Sequence, residues 1–152
     1  MIFLHGAHLI QSAAENRYDL GFSYLVDQLA DAGYLALSMN VGINYSFENG
    51  EPNGCQRTVQ VVEQQSALLK QAIEGKNGIF PCDLKNKGDL NQVILVGHSR
   101  AGYDIFEVAD QTELLGIQSL ISAAPSLVSP LSGAPVDVPA GIIIPQYDGD
   151  VT

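Results

Sequence analysis

The sequence predicts an α/β protein: a mostly parallel sheet of about five strands with helices on both faces. Two observations predict it. Five short runs, Ile2–Leu4, 34–39, 93–96, Ile117–Ala123 and 141–144, are almost wholly apolar. Strands buried on both faces read that way, whereas half-exposed strands alternate. Between these runs lie segments with apolar residues at helical spacing, so strand and helix signals alternate along the chain. Nothing in 152 residues suggests a second domain, since the chain has no repeat, low-complexity stretch or composition shift.

The elements follow in order. The run Ile2–Leu4 leads into His5-Gly6-Ala7-His8, a strand ending in a loop. Residues 20–32 place Phe22, Leu25, Val26, Leu29 and Ala30 at helical spacing, and Gly33 follows as a stop. Residues 34–39 form the next strand, and 40–56, rich in Asn and Gly, a long loop. Residues 57–74 are amphipathic, with Val59, Val62, Leu69 and Ile73 on the apolar side, and Gly75 ends the helix. A polar loop over 75–91 precedes the strand at 93–96. A helix over about 101–110, the strand Ile117–Ala123, a Pro-, Ser- and Gly-bearing loop at 125–138 and the strand at 141–144 complete the pattern.

Composition narrows the partners. Seventeen carboxylates face seven Lys and Arg, a net charge of −10, with no basic stripe. Nucleic acid is not an expected partner, and the acidity reads as solubility. No apolar run is long enough to span a membrane, and the start MIFLHG has neither the basic flank nor the length of a signal peptide. Cys55 and Cys82 show no metal spacing. A bridge between them would have to cross the helix at 57–74, about 27 Å long, so both are expected to be free thiols. No metal or cofactor is expected.

The most informative stretch is VILVGHSRAG, residues 93–102. An apolar strand runs into Gly97-His98-Ser99-Arg100-Ala101, and a helix pattern follows. A serine on a strand–helix turn exposes its Oγ but strains its backbone, so the residues two before and two after must be small. Gly97 and Ala101 meet that need. The N–H groups that open the following helix face the place where negative charge develops in acyl transfer. Ser99 is therefore a candidate nucleophile.

GHSRAG, with HGAH about ninety residues earlier and YDGDV about fifty later, resembles the α/β-hydrolase superfamily. It is most similar to the branch with a GHSRGG-type elbow, and LVDQLADAGYLALSMN resembles that branch's helix and following strand. The likeness covers nearly the whole chain, with Ala101 in place of the usual glycine. It implies a serine esterase or lipase-like hydrolase acting on small-molecule or polymeric carboxylic esters. Ser99 would attack, and the N–H groups of Ala7 and Arg100 would form the oxyanion hole. His8 either lines the pocket or is a plain polar loop residue. Asp148, with Val151 three residues later, is the implied acid; Asp150 is the alternative, and DGD is also a turn sequence.

The base is the gap in this scheme. None of His5, His8 and His98 is placed for it, and the His98 side chain is expected to point into surrounding packing. The superfamily's chain order puts the base after the acid and one further strand. The resemblance thus implies an internal fragment, 1–152, truncated at both ends and lacking the first strands and the catalytic histidine. It also implies a sheet order. The strand at 34–39 lies on one edge, then Ile2–Leu4, 93–96, Ile117–Ala123, and 141–144 on the other edge. Both edges would be open to self-association. The 125–138 stretch is too short for a helical lid, and Tyr45 and Phe47 belong either to a pocket wall or to a surface loop. Two other readings stay open: a degenerate hydrolase fold that only binds, and a thioesterase or acyltransferase using the same elbow.

Overall fold

In the computed structural model, which describes residues 1–8, 16–42, 54–76, 78–126 and 136–146, five strands form one sheet. They are β1 (Ile2–Leu4), β2 (Leu37–Met39), β3 (Val93–His98), β4 (Ile117–Ala123) and β5 (Ala140–Ile143). The order is β2-β1-β3-β4-β5, with every neighbouring pair parallel. This is the α/β architecture that the sequence predicts and the strand order that the resemblance implies, with β2 and β5 at the edges.

Strand periodicity divides the side chains between two layers. Ile2, Leu4, Leu95 and Leu120 pack in one cluster with Val59 and Val62 of α2 (Gly54–Ile73) and Ile105 and Val108 of α3 (Arg100–Gln111). Phe3 points the other way, its ring 5.3 Å from that of Phe22. Phe22 closes a 3-10 helix (Tyr18–Phe22) that leads into α1 (Ser23–Asp31). Thus α2 and α3 cover one face of the sheet, and α1 lies on the other.

That second face is only partly covered. A groove of about 640 Å³ runs beside α1, lined by Phe3, Phe22, Leu25, Val96, Ile121 and Ile143 among others. No residue of α1 is fully buried, although its apolar spacing predicts a core-facing side. The helix forms as expected, but its apolar side borders the open groove.

Two strands differ in length from the expectation. β2 begins at Leu37, not at 34, because its register with β1 starts where Ile2 pairs with Leu37. The Leu37 N–H does reach Met1 O, at 3.0 Å. β3 instead extends to His98, because it has a partner on each side: Leu4 pairs with Gly97 and Ala123 with His98. At the far edge, Ile142, Ile143 and Ile144 are 56%, 59% and 65% exposed. Cys55 is buried and Cys82 exposed, and they are not bridged.

Candidate active site

Ser99 stands between the last residue of β3 and the first of α3. Its backbone has φ 55° and ψ −125°, one of three positive-φ non-glycine residues among the described residues. A side chain at such angles is strained, and the conformation persists only where its surroundings over-determine it. Here they do. The Ser99 N–H donates to Ala123 O at 2.9 Å, while Ser99 O accepts from the N–H groups of Gly102 at 2.9 Å and Ser126 at 3.2 Å. Ser122, fully buried on β4, adds a hydrogen bond from Oγ to Gly102 O at 2.7 Å. The turn is therefore clamped from β4 and from its own helix.

Small residues make the turn possible. A Cβ on Gly97 would lie 2.2 Å from Ala101 O, a backbone atom with no room to yield. The constraint on position 97 comes from the backbone of residue 101, whatever its side chain. The Ala101 methyl itself is fully buried in the core cluster, so alanine fills this position without crowding Ser99.

The loop after β1 comes up against the serine. A Cβ on Gly6 would lie 2.8 Å from Ser99 Cβ, 3.3 Å from Ser99 Oγ and 3.4 Å from His98 Nδ1. His5 fixes how this loop is turned. Its Nε2 accepts the Val41 N–H at 3.0 Å, which leaves Nδ1 to carry the proton and donate to Gly6 O at 2.8 Å. Because a trans peptide holds its C=O and N–H on opposite sides, the Ala7 N–H points away from His5. By the same argument, the bonds to Ser99 O turn the Arg100 N–H to the other side of its peptide. That N–H belongs to the first turn of a helix, where donors have no carbonyl within the helix to meet.

All three histidines gather near the elbow. His8 stacks on Tyr18, with ring centroids 3.3 Å apart and planes 11° off parallel, and its ring lies 5.5 Å from that of His5. Burial, then the neighbouring His5 and His98, lower the His8 pKa below the ordinary histidine value. Tyr18 also lies 6.0 Å from His5. Beside it, the buried Asp19 pairs with Arg17 at 2.6 Å, and hydrogen bonding to that guanidinium lowers its pKa. His98 is exposed and lines the groove beside Phe3 and Val96 rather than being packed away, because α1 covers that face of the sheet only in part. Asp148, its alternative Asp150 and Val151 lie outside the described residues, as do Tyr45 and Phe47.

The structure thus brings together Ser99, Arg100 and the Gly6–Ala7 loop. It also shows what the sequence reading missed. Arg100 is buried, and its guanidinium Nε donates to Asp104 Oδ1 at 3.1 Å. The same carboxylate accepts from Cys55 Sγ at 2.9 Å and Thr58 Oγ1 at 2.8 Å, both in the first turns of α2. Burial disfavours the charged Arg100 guanidinium, but the charge and hydrogen bond of Asp104 hold its pKa above the ordinary value. Burial first, and then Asp104, push the Cys55 thiol up to about 12. The four-residue spacing of Arg100 and Asp104 was the available signal, since helical side chains at i and i+4 meet.

No family model matches the chain, and no curated protein matches it in sequence. The five-stranded, all-parallel α/β sheet is compatible with an α/β-hydrolase-like core. Among the described residues, no group of His, Cys, Asp and Glu is arranged to hold a metal, and no helix is long and apolar enough to cross a membrane.

Proposed function

We propose that this is an α/β-hydrolase-type serine hydrolase site for carboxylic esters. The observation that carries the reading is the strained, clamped Ser99 at the β3–α3 turn, with Gly6 held against it. Such strain is maintained where a side chain must be presented. Ser99 Oγ attacks the ester carbonyl and loses its proton to an imidazole. The carbonyl oxygen becomes an oxyanion, met by the N–H groups of Ala7 and Arg100. Collapse expels the alcohol, which takes up that proton, and water then hydrolyses the acyl-serine.

The activating imidazole is none of His5, His8 and His98. Both nitrogens of His5 are engaged, His8 is stacked on Tyr18, and His98 faces the groove. Asp148, with Asp150 as the alternative, orients the imidazole that does serve. Fluorophosphonate labelling with imidazole supplied in solution tests the nucleophile directly. Mass spectrometry should find the adduct on Ser99, and Ser99→Ala should abolish it. A folded chain that gains no adduct at Ser99 refutes the reading.

The placement of the three histidines also favours a second reading, a hydrolase fold that binds without turnover. Ester hydrolysis that is lost in Ser99→Ala excludes it. A thioesterase or acyltransferase would use the same elbow, and acyl-thioester substrates separate those reactions from ester hydrolysis. The open β5 edge, apolar at Ile142–Ile144, suits pairing with a second copy of the chain.

A further inference from the structure

We propose that Asp104 is a positioning residue for the Ser99 site and acts through Arg100. This rests on the reading of Ser99 as a nucleophile. Arg100 is the residue whose backbone N–H would meet the oxyanion, and its side chain is not a surface arm. The Arg100 and Asp104 side chains are 7% and 0% exposed and meet at 3.1 Å. A guanidinium buried that far needs a carboxylate partner, and removing one member of a buried pair leaves an uncompensated charge. Asp104 therefore determines where the Arg100 side chain can lie.

The carboxylate is itself held from a second helix. Oδ1 accepts from Cys55 and Arg100, and Oδ2 accepts from Thr58, which is fully buried. Four side chains, one of them that of the residue following Ser99, thus join the first turns of α2 to the first turns of α3. The bonds to Ser99 N and O fix one end of the Ser99–Arg100 peptide. The Arg100–Asp104 pair fixes the residue at the other end. An oxyanion donor must sit within a fraction of an ångström of its place, and a misplacement of about 1 Å costs roughly a hundredfold in rate.

The test measures the rate of fluorophosphonate inactivation at Ser99, with imidazole present, together with thermal stability. Arg100→Met and Asp104→Ala should slow inactivation roughly ten- to a hundredfold while the affinity of the probe changes little. Asp104→Asn, which keeps an acceptor for Arg100 Nε but not the charge, should fall between Asp104→Ala and the wild type. Thr58→Val removes one of the bonds that hold the carboxylate but leaves its bond to Arg100, so it should lower the melting temperature and slow inactivation far less than Arg100→Met does.

If Asp104→Ala does not fold, Arg100→Met and Asp104→Asn decide the matter. A folded Arg100→Met that reacts within twofold of wild type overturns the proposal and leaves the Ser99 reading standing. A Thr58→Val variant slowed as much as Arg100→Met also overturns it, because the cluster would then act only through general stability. A wild-type chain that takes no label at Ser99 overturns both.

Discussion

Replacing Ser99 with glycine should make the protein more stable than replacing it with alanine, while either change removes the proposed nucleophile. The reason is the backbone at φ 55°, ψ −125°, where any Cβ is strained. A residue held in so sparsely populated a region costs about 1–3 kcal/mol. Glycine relieves that strain but loses about 0.5–1 kcal/mol more chain entropy on folding than alanine does. The difference runs from about 0 to 2.5 kcal/mol and leaves glycine about 1 kcal/mol ahead of alanine at the middle of both ranges. The proper comparison is therefore Ser99→Gly against Ser99→Ala, since neither has the hydroxyl and only one keeps the Cβ. Little else changes, because the Ser99 side chain makes no capping hydrogen bond to α3. For a chain of this size a gap of about 1 kcal/mol corresponds to about 2–4 °C in melting temperature. Thermal and urea denaturation of the two variants measure it. If Ser99→Gly melts at or below Ser99→Ala, the turn does not store strain, and backbone strain no longer supports a role for Ser99.

Gly6→Ala should drive the loop after β1 away from Ser99, because its methyl would arrive 2.8 Å from Ser99 Cβ. Carbon atoms pack at about 3.5–4.0 Å, so a shift approaching 1 Å is needed, and Ser99 labelling should slow by up to about a hundredfold. His8 should titrate below the ordinary histidine value of about 6.5 in an NMR titration. The sign follows from its lowered pKa. In the window between the folded and unfolded values the unfolded chain binds more protons, so this group's contribution to stability falls as pH drops through that window. His8→Phe, which keeps a ring on Tyr18, should flatten that part of the pH profile, and an unchanged profile would contradict the assignment. Sedimentation should show concentration-dependent self-association through β5 that Ile143→Lys suppresses; a wild-type chain that stays monomeric at high concentration rules the pairing out.

Much of this fold is legible because its signals are local. The apolar runs at Ile2–Leu4 and Ile117–Ala123 need no tertiary knowledge to read as buried strands, and GHSRA states its own steric demands. The shortfalls arise where distant neighbours decide. β2 is short because its register with β1 starts at Leu37, and β3 is long because both of its neighbours reach its end. The apolar spacing of Phe22, Leu25 and Leu29 predicts a helix that faces a core, but spacing does not say whether the facing space is filled. Asp104 and Glu107 look like the polar side of α3, yet both are almost fully buried. For Asp104 the burial depends on Cys55 and Thr58, more than forty residues away in the chain.

The central place of β1 carries a consequence for how the molecule assembles. Its three residues pair with 37–39 on one side and with 95–97 on the other. The unit β3–α3–β4 closes over a short stretch of chain, whereas β1 must find β3 across some ninety residues. Pairings of such sequence separation pay loop-closure entropy before any contact rewards them, and they slow folding. The elbow can therefore form early, but Gly6 reaches Ser99 only when β1 inserts. Pulse-labelled hydrogen exchange should show the β3 and β4 amides protected before those of β1. Ser99 would then come into its complete surroundings only once β1 has inserted.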